Sequence, residues 1–216
     1  MLLSDKILSA NEAVLDEMLA HRFVADIHAD RLADVVFHRY LAYEGKFVTT
    51  AISIFAHAVT SAPDIKAQRW LIGVLDALAN AQVPYFEDVF ARLCIAPPDQ
   101  VPQEVTAFDV SMLDIARTGR FTDILTAMFA AEWMYWTWCS SAAARQISDP
   151  DLRAWVDLHA DRGFADQALW LKEAIDTYGE ASETNRLSAI FEHVMRLEVA
   201  FHSAAYDAAP LREGSS

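Results

Sequence analysis

Apolar side chains recur every three or four residues along almost the whole chain, the spacing that lays one stripe down an α-helix. Such a stripe is buried by packing on another helix. No segment shows the sustained period-two alternation of a half-buried strand. The spacing predicts helices over roughly 4–20, 31–59, 63–80, 84–94, 105–118, 121–146, 149–161, 164–177 and 183–207. Breakers support these limits. APPD at 96–99 cannot continue a helix, and Thr118 with Gly119 interrupts the chain before Phe121. Ser148, Asp149 and Pro150 supply a cap and a first-turn proline, Gly179 reads as a stop, and Ser182 as the N-cap of the last helix. Six glycines and seven prolines in 216 residues are few for a turn-rich β chain. With no repeat and no linker rich in Gly, Ser or Pro, the expectation is a single-domain, all-α helical bundle over 1–207. Residues 208–216 read as a frayed, disordered tail.

Charge narrows the partners. Seventeen basic against 31 acidic residues leave a formal net charge of −14, which repels nucleic acid and anionic membranes. Neither is an expected partner. The two cysteines, Cys94 and Cys139, form no C-x-x-C pair, and no disulfide framework or structural zinc site is implied. The N-terminus is charged within six residues, and no run reaches the ~20 apolar residues of a membrane helix. A cytoplasmic domain is expected.

Three acids then stand out. Leu125, Met128, Glu132, Tyr135 and Cys139 share one helical stripe. Phe37, Leu41, Glu44, Phe47 or Val48, and Ala51 form a second, and Phe191, Val194 or Met195, Glu198, Phe201 and Ala205 a third. A buried carboxylate costs several kcal/mol unless it is paired or hydrogen-bonded. Each glutamate taken alone reads as a face-boundary residue or one partner of a core pair. Three together, flanked by Tyr40, Tyr43, Tyr135 and Trp136, read as the floor of one aromatic-walled pocket for a small planar molecule. Acids buried there can serve as general acid or base.

A di-iron carboxylate site is the competing reading, but it ordinarily carries Glu-x-x-His pairs. Position i+3 holds Phe47, Tyr135 and Phe201 after Glu44, Glu132 and Glu198, and His159 and His202 are a thin ligand set. No metal and no cofactor are expected. His21, His28, His38, His57 and His193 read as surface or capping residues. Cys139 reads as a small core residue rather than a nucleophile, and the tryptophans at 133, 136 and 138 as packing, with Trp136 a pocket-wall candidate.

The segments HRFV at 21–24, FHRYLAYEGKF at 37–47, TAF at 106–108, FTDILTAM at 121–128 and LEVAF at 197–201 together resemble the TenA family. These are thiaminase II-like proteins of the all-α, heme-oxygenase-like fold, and the resemblance covers about residues 15 to 206. It implies that Glu44 takes the place of a pyrimidine-anchoring Asp and Phe47 that of a stacking Tyr. Phe108 takes the place of a pocket Tyr, a further Tyr is replaced near His159, and Glu198 is the C-terminal catalytic Glu. The nucleophilic cysteine falls at Ala131, directly before Glu132, as in the cysteine-lacking class called TenA-E. That class is associated with salvage of degraded thiamin.

The implied activity is hydrolysis of a 4-amino-2-methylpyrimidine bearing a 5-aminomethyl or formylaminomethyl group. Glu132 and Glu198 are the catalytic candidates; Glu44, Phe47, Tyr135, Phe108, His159 and Tyr43 are the substrate-binding ones. Which glutamate is acid and which is base stays open. The rival reading is a non-catalytic binder of an aromatic metabolite, and a third is a metal-dependent oxidase on the same fold. The resemblance also implies a homo-oligomer, a tetramer or dimer.

Overall fold

The structure, a computed structural model, describes residues 1–98 and 100–207. Eleven α-helices follow one another: α1 (Leu3–Ala10), α2 (Glu12–Leu19), α3 (Arg22–His28), α4 (Asp34–Ser61), α5 (Ile65–Ala77), α6 (Val83–Leu93), α7 (Gln103–Thr118), α8 (Phe121–Ala143), α9 (Pro150–Ala160), α10 (Arg162–Tyr178) and α11 (Thr184–Asp207). Among the described residues there is no strand, so the fold is all-α as the spacing requires.

α8 is the centre. Its residues 121–131 are buried without interruption, and a helix apolar on every side is stable only when enclosed. It packs against α4, α7, α9, α10 and α11. α4, α7 and α11 also pack on one another, leaving room between them and α8 for a cavity. Among the described residues no helix is long and apolar enough to cross a membrane.

Several boundaries follow the local chemistry. Asp149 caps α9 by accepting from the backbone N–H of Asp151 and Leu152, each at 2.8 Å, with Pro150 in the first turn. Asp161 caps α10 through the Phe164 N–H at 2.7 Å, and Gly179 ends that helix with its N–H on the Ile175 carbonyl. Cys94, at φ 54°, closes α6 in the left-handed conformation before the Pro97–Pro98 segment.

Other boundaries differ from the expectation. The predicted helix over 4–20 is two, because Asn11 leaves helical geometry and its amide donates to the carbonyls of Ile7 (2.9 Å) and Ser188 (3.2 Å), tying the joint to α11. α3 has no counterpart among the predicted helices; it is a seven-residue helix begun by His21, whose Nδ1 accepts the Phe23 N–H. Ser182 is not the cap of the last helix. Residues 181–183 form a 3₁₀ turn with Glu180 at its start, where the Glu180 N–H donates to Glu183, and α11 begins at Thr184. Residues 208–216 lie outside the described residues.

The predicted break between 80 and 84 is a continuous helical path through a π turn, Leu78–Gln82. Pro84 explains it. Proline has no N–H to offer Asn80, and its ring would clash with the Asn80 carbonyl in a regular α-helix. The widened turn, closed by the Val83 N–H on the Leu78 carbonyl, relieves both problems without ending the helix.

Candidate active site

The three glutamates converge. Glu44 and Phe47 from α4, Glu132 and Tyr135 from α8, and Glu198 and Phe201 from α11 line one cavity of about 60 Å³. Phe108 from α7 and His159 from α9 complete its polar and aromatic walls. About 10–15 Å³ accommodates one water, so the space suits a few waters or a single small ring. The α8 and α11 stripes contribute only their middles, and the α4 stripe its second half, from Glu44 to Ala51. Leu125 and Cys139 on α8, and Phe191 and Ala205 on α11, are buried in the core and lie outside the lining.

Seven of the eight sequence-derived site residues therefore share the cavity: Glu44, Phe47, Phe108, Glu132, Tyr135, His159 and Glu198. Tyr43 does not. It precedes Glu44 by one residue, about 100° around the helix, and its ring meets Phe201 edge-on at 6.2 Å in the core. Trp136 also misses the lining and packs against Trp133 at 5.1 Å. Tyr40 is fully buried behind the wall, with its hydroxyl hydrogen-bonded to that of Tyr135.

Glu44 is held from two sides. The Trp155 indole N–H donates to Oε2 at 2.7 Å, and His159 Nε2 lies 3.1 Å from Oε1. His159 Nδ1 faces the Trp155 carbonyl at 2.9 Å. A carbonyl and a carboxylate both only accept, so each ring nitrogen needs a proton and the pair is Glu44 carboxylate with His159 imidazolium. Burial opposes that charge on His159, but the hydrogen bond and charge of Glu44 outweigh it and raise its pKa. Each Glu44 oxygen keeps a further lone pair for a ligand.

Glu132 and Glu198 are in a different state. Gln167 from α10 donates to Glu132 Oε1 at 2.8 Å, while Oε2 is buried without a partner. Burial pushes its pKa up to about 7, against the opposing pull of Gln167 and His159. Glu198 is 1% exposed, and its Oε2 has no hydrogen-bond partner; His202 Nδ1, at 3.6 Å, is too far and is committed to the Glu198 carbonyl at 2.8 Å. Burial, reinforced by Glu44 and Glu132, raises the Glu198 pKa well above the ordinary carboxylate range. His202 is pushed the other way by burial, to about 3, and is neutral. The cavity thus holds one fixed carboxylate and two acids that keep their protons far more readily.

Residues that no sequence signal marked complete the site. Trp155 and Gln167 lie outside the lining and act through Glu44 and Glu132. Phe164 and Gln82 line the cavity, Gln82 as the last residue of the π turn. Pro84 was the available signal for that turn, and a histidine one turn past a tryptophan on α9 was the signal for the Trp155–His159 pair. Among the described residues, no group of three or more His, Cys, Asp or Glu is placed to hold a metal ion.

Residues 9–208 match the model of the TENA/THI-4/PQQC family. The chain belongs to this family. It is 24% identical, over 196 residues, to the aminopyrimidine aminohydrolase of Halalkalibacterium halodurans, covering 87% of this chain and 88% of that protein. Its fold is that of a TenA homologue from Pyrococcus furiosus (TM-score 0.87, 17% identity, 95% and 100% of the two chains). A TenA homologue from P. horikoshii is equally similar (TM-score 0.88, 19% identity, 95% and 99%). The TenA-like, heme-oxygenase-like bundle expected from the motifs is therefore the fold observed. Within it Ala131, directly before Glu132, lines the cavity.

Proposed function

We propose that the protein is an aminopyrimidine hydrolase of thiamin salvage, of the cysteine-independent kind, acting through carboxylate acid–base chemistry. The observation that carries this reading is the convergence on a single aromatic-walled cavity of three glutamates, one paired with His159 and two whose pKa burial raises. The name of the Halalkalibacterium relative and the family match support the same substrate class.

In this reading the free lone pairs of Glu44 accept hydrogen bonds from the aminopyrimidine edge. Phe47 and Tyr135 enclose the ring. Glu132, half-ionised near neutral pH, takes a proton from water as its oxygen bonds to the 5-methylene carbon. Glu198, which holds its proton, delivers it to the nitrogen as the carbon–nitrogen bond breaks and the electron pair leaves with that nitrogen. Ammonia departs from an aminomethyl substrate. On a formylaminomethyl one the water oxygen bonds to the formyl carbon instead, formate departs and the aminomethyl nitrogen takes the proton. Proton exchange through the cavity restores the two acids.

General acid–base help supplies about 10²–10⁴-fold. Glu132→Gln and Glu198→Gln are each expected to lower kcat on the 5-aminomethyl and 5-formylaminomethyl pyrimidines by at least about 100-fold, measured by product chromatography. Wild-type turnover in both variants would sink the mechanism. Thermal stabilisation of the native protein by either pyrimidine, with no product on prolonged incubation, would instead favour the non-catalytic binder.

A further inference from the structure

Among the described residues, Glu132 is the cavity glutamate with one oxygen held by a side-chain amide and the other buried without a partner. Its Oε1 receives the Gln167 amide at 2.8 Å, and its Oε2 is enclosed with nothing to bond. Both Glu44 oxygens already accept from the protein, and among the described residues the Glu198 Oε2 has no hydrogen-bond partner. An amide N–H donates and cannot accept, so it favours the ionised carboxylate over the neutral acid. It also fixes the carboxylate plane, leaving the second oxygen's lone pairs directed away from the donor.

We propose that Gln167 is the positioning residue that makes Glu132, rather than Glu198, the proton acceptor of the reaction. This rests on the hydrolase reading above and assigns the base that reading requires. The geometry divides the labour: α10 supplies a donor to the α8 acid, whereas α11 offers Glu198 only the distant and already committed His202.

Other groups facing Glu132 do not make that distinction. His159 from α9 favours its charge and Glu44 from α4 opposes it. Glu198 from α11 is a second acid across the same cavity, and α7 presents only Phe108 there. Gln167 is the single contact that acts on Glu132 alone. Among the described residues its amide nitrogen makes that one hydrogen bond, and the side chain stands outside the lining, so it acts through Glu132 and not on the substrate.

The test is the proton affinity of Glu132 in the whole protein, read with and without substrate turnover. In ¹³C-carboxyl NMR of the ligand-free protein, the resonance absent from Glu132→Gln should titrate near neutrality. In Gln167→Leu it should titrate about one pH unit higher, because burial then acts without the opposing donor. The acidic limb of the kcat/KM profile should move by the same amount, costing about tenfold at the old midpoint and recovering at higher pH. A purely structural role would lower the profile uniformly and leave the limb in place. Gln167→Glu, which keeps the shape but replaces the donor by an acid, should also raise the midpoint and serves if the leucine variant fails to fold.

An unmoved Glu132 resonance and limb, in a protein that Glu132→Gln inactivates, would overturn the role of Gln167 and leave the hydrolase reading standing. Full activity of Glu132→Gln would overturn that reading itself.

Discussion

The Trp155–Glu44–His159 chain shows what single residues contribute. Glu44 is clamped by the Trp155 indole and the His159 ring. Removing one partner of a buried charge pair leaves the other uncompensated. His159→Phe, which retains an aromatic wall, is therefore expected to raise KM for the aminopyrimidine about tenfold or more with a smaller change in kcat, measured by steady-state kinetics. At this scale the sequence was informative about the lining. Helical spacing marked Glu44, Glu132 and Glu198, and the family motifs marked Phe47, Phe108 and the neighbourhood of His159. It was silent on Gln167, Trp155 and Gln82. The roles of Gln167 and Trp155 depend on which side chain of another helix lies within 3 Å, and that of Gln82 on the π turn, none of which spacing along one chain carries. Tyr43 is the converse: next to a lining residue in the motif, it is turned into the core by the rotation of one helical step.

At the scale of elements, periodicity found the long helices but not their joints. α4, α8 and α11 lie close to their expected spans, because each has an apolar stripe long enough to dominate its local sequence. Asn11 and Glu180 redirect the chain through hydrogen bonds made after folding, to Ser188 and Glu183. The π turn matters more, since it carries both Leu78 and Gln82 to the cavity. We expect Pro84→Ala to restore the missing backbone bond and let the turn tighten to α geometry. Gln82 would then rotate out of the lining. The expected outcome is a several-fold rise in KM with a melting temperature equal to or above that of the native protein; an unchanged KM would show that the turn does not depend on the proline.

For the whole molecule, buried acids tie activity to stability. Glu132 titrates at about 7 in the folded protein against an ordinary 4.5. A raised folded-state pKa means stability fully present below 4.5 and lost as the pH rises through 7, because ionisation inside the cavity is opposed by burial. Glu198, raised for the same reason, acts in the same direction. Glu132→Gln should therefore melt close to the native protein at pH 4 and above it at pH 8, while losing turnover. A melting difference independent of pH would show that Glu132 is not held protonated by folding.

Sequence by itself determined the all-α class, the three acid-bearing stripes and the family. Those follow from covalent order: the helical period, the breakers and the motif spacing are all written along one dimension. Tertiary structure alone decided that the stripes meet in one cavity, that Trp155 and His159 hold Glu44 from two sides, and that burial raises the pKa of Glu132 and Glu198. Those depend on distance and burial, which arise only when residues far apart in the chain displace water from one another.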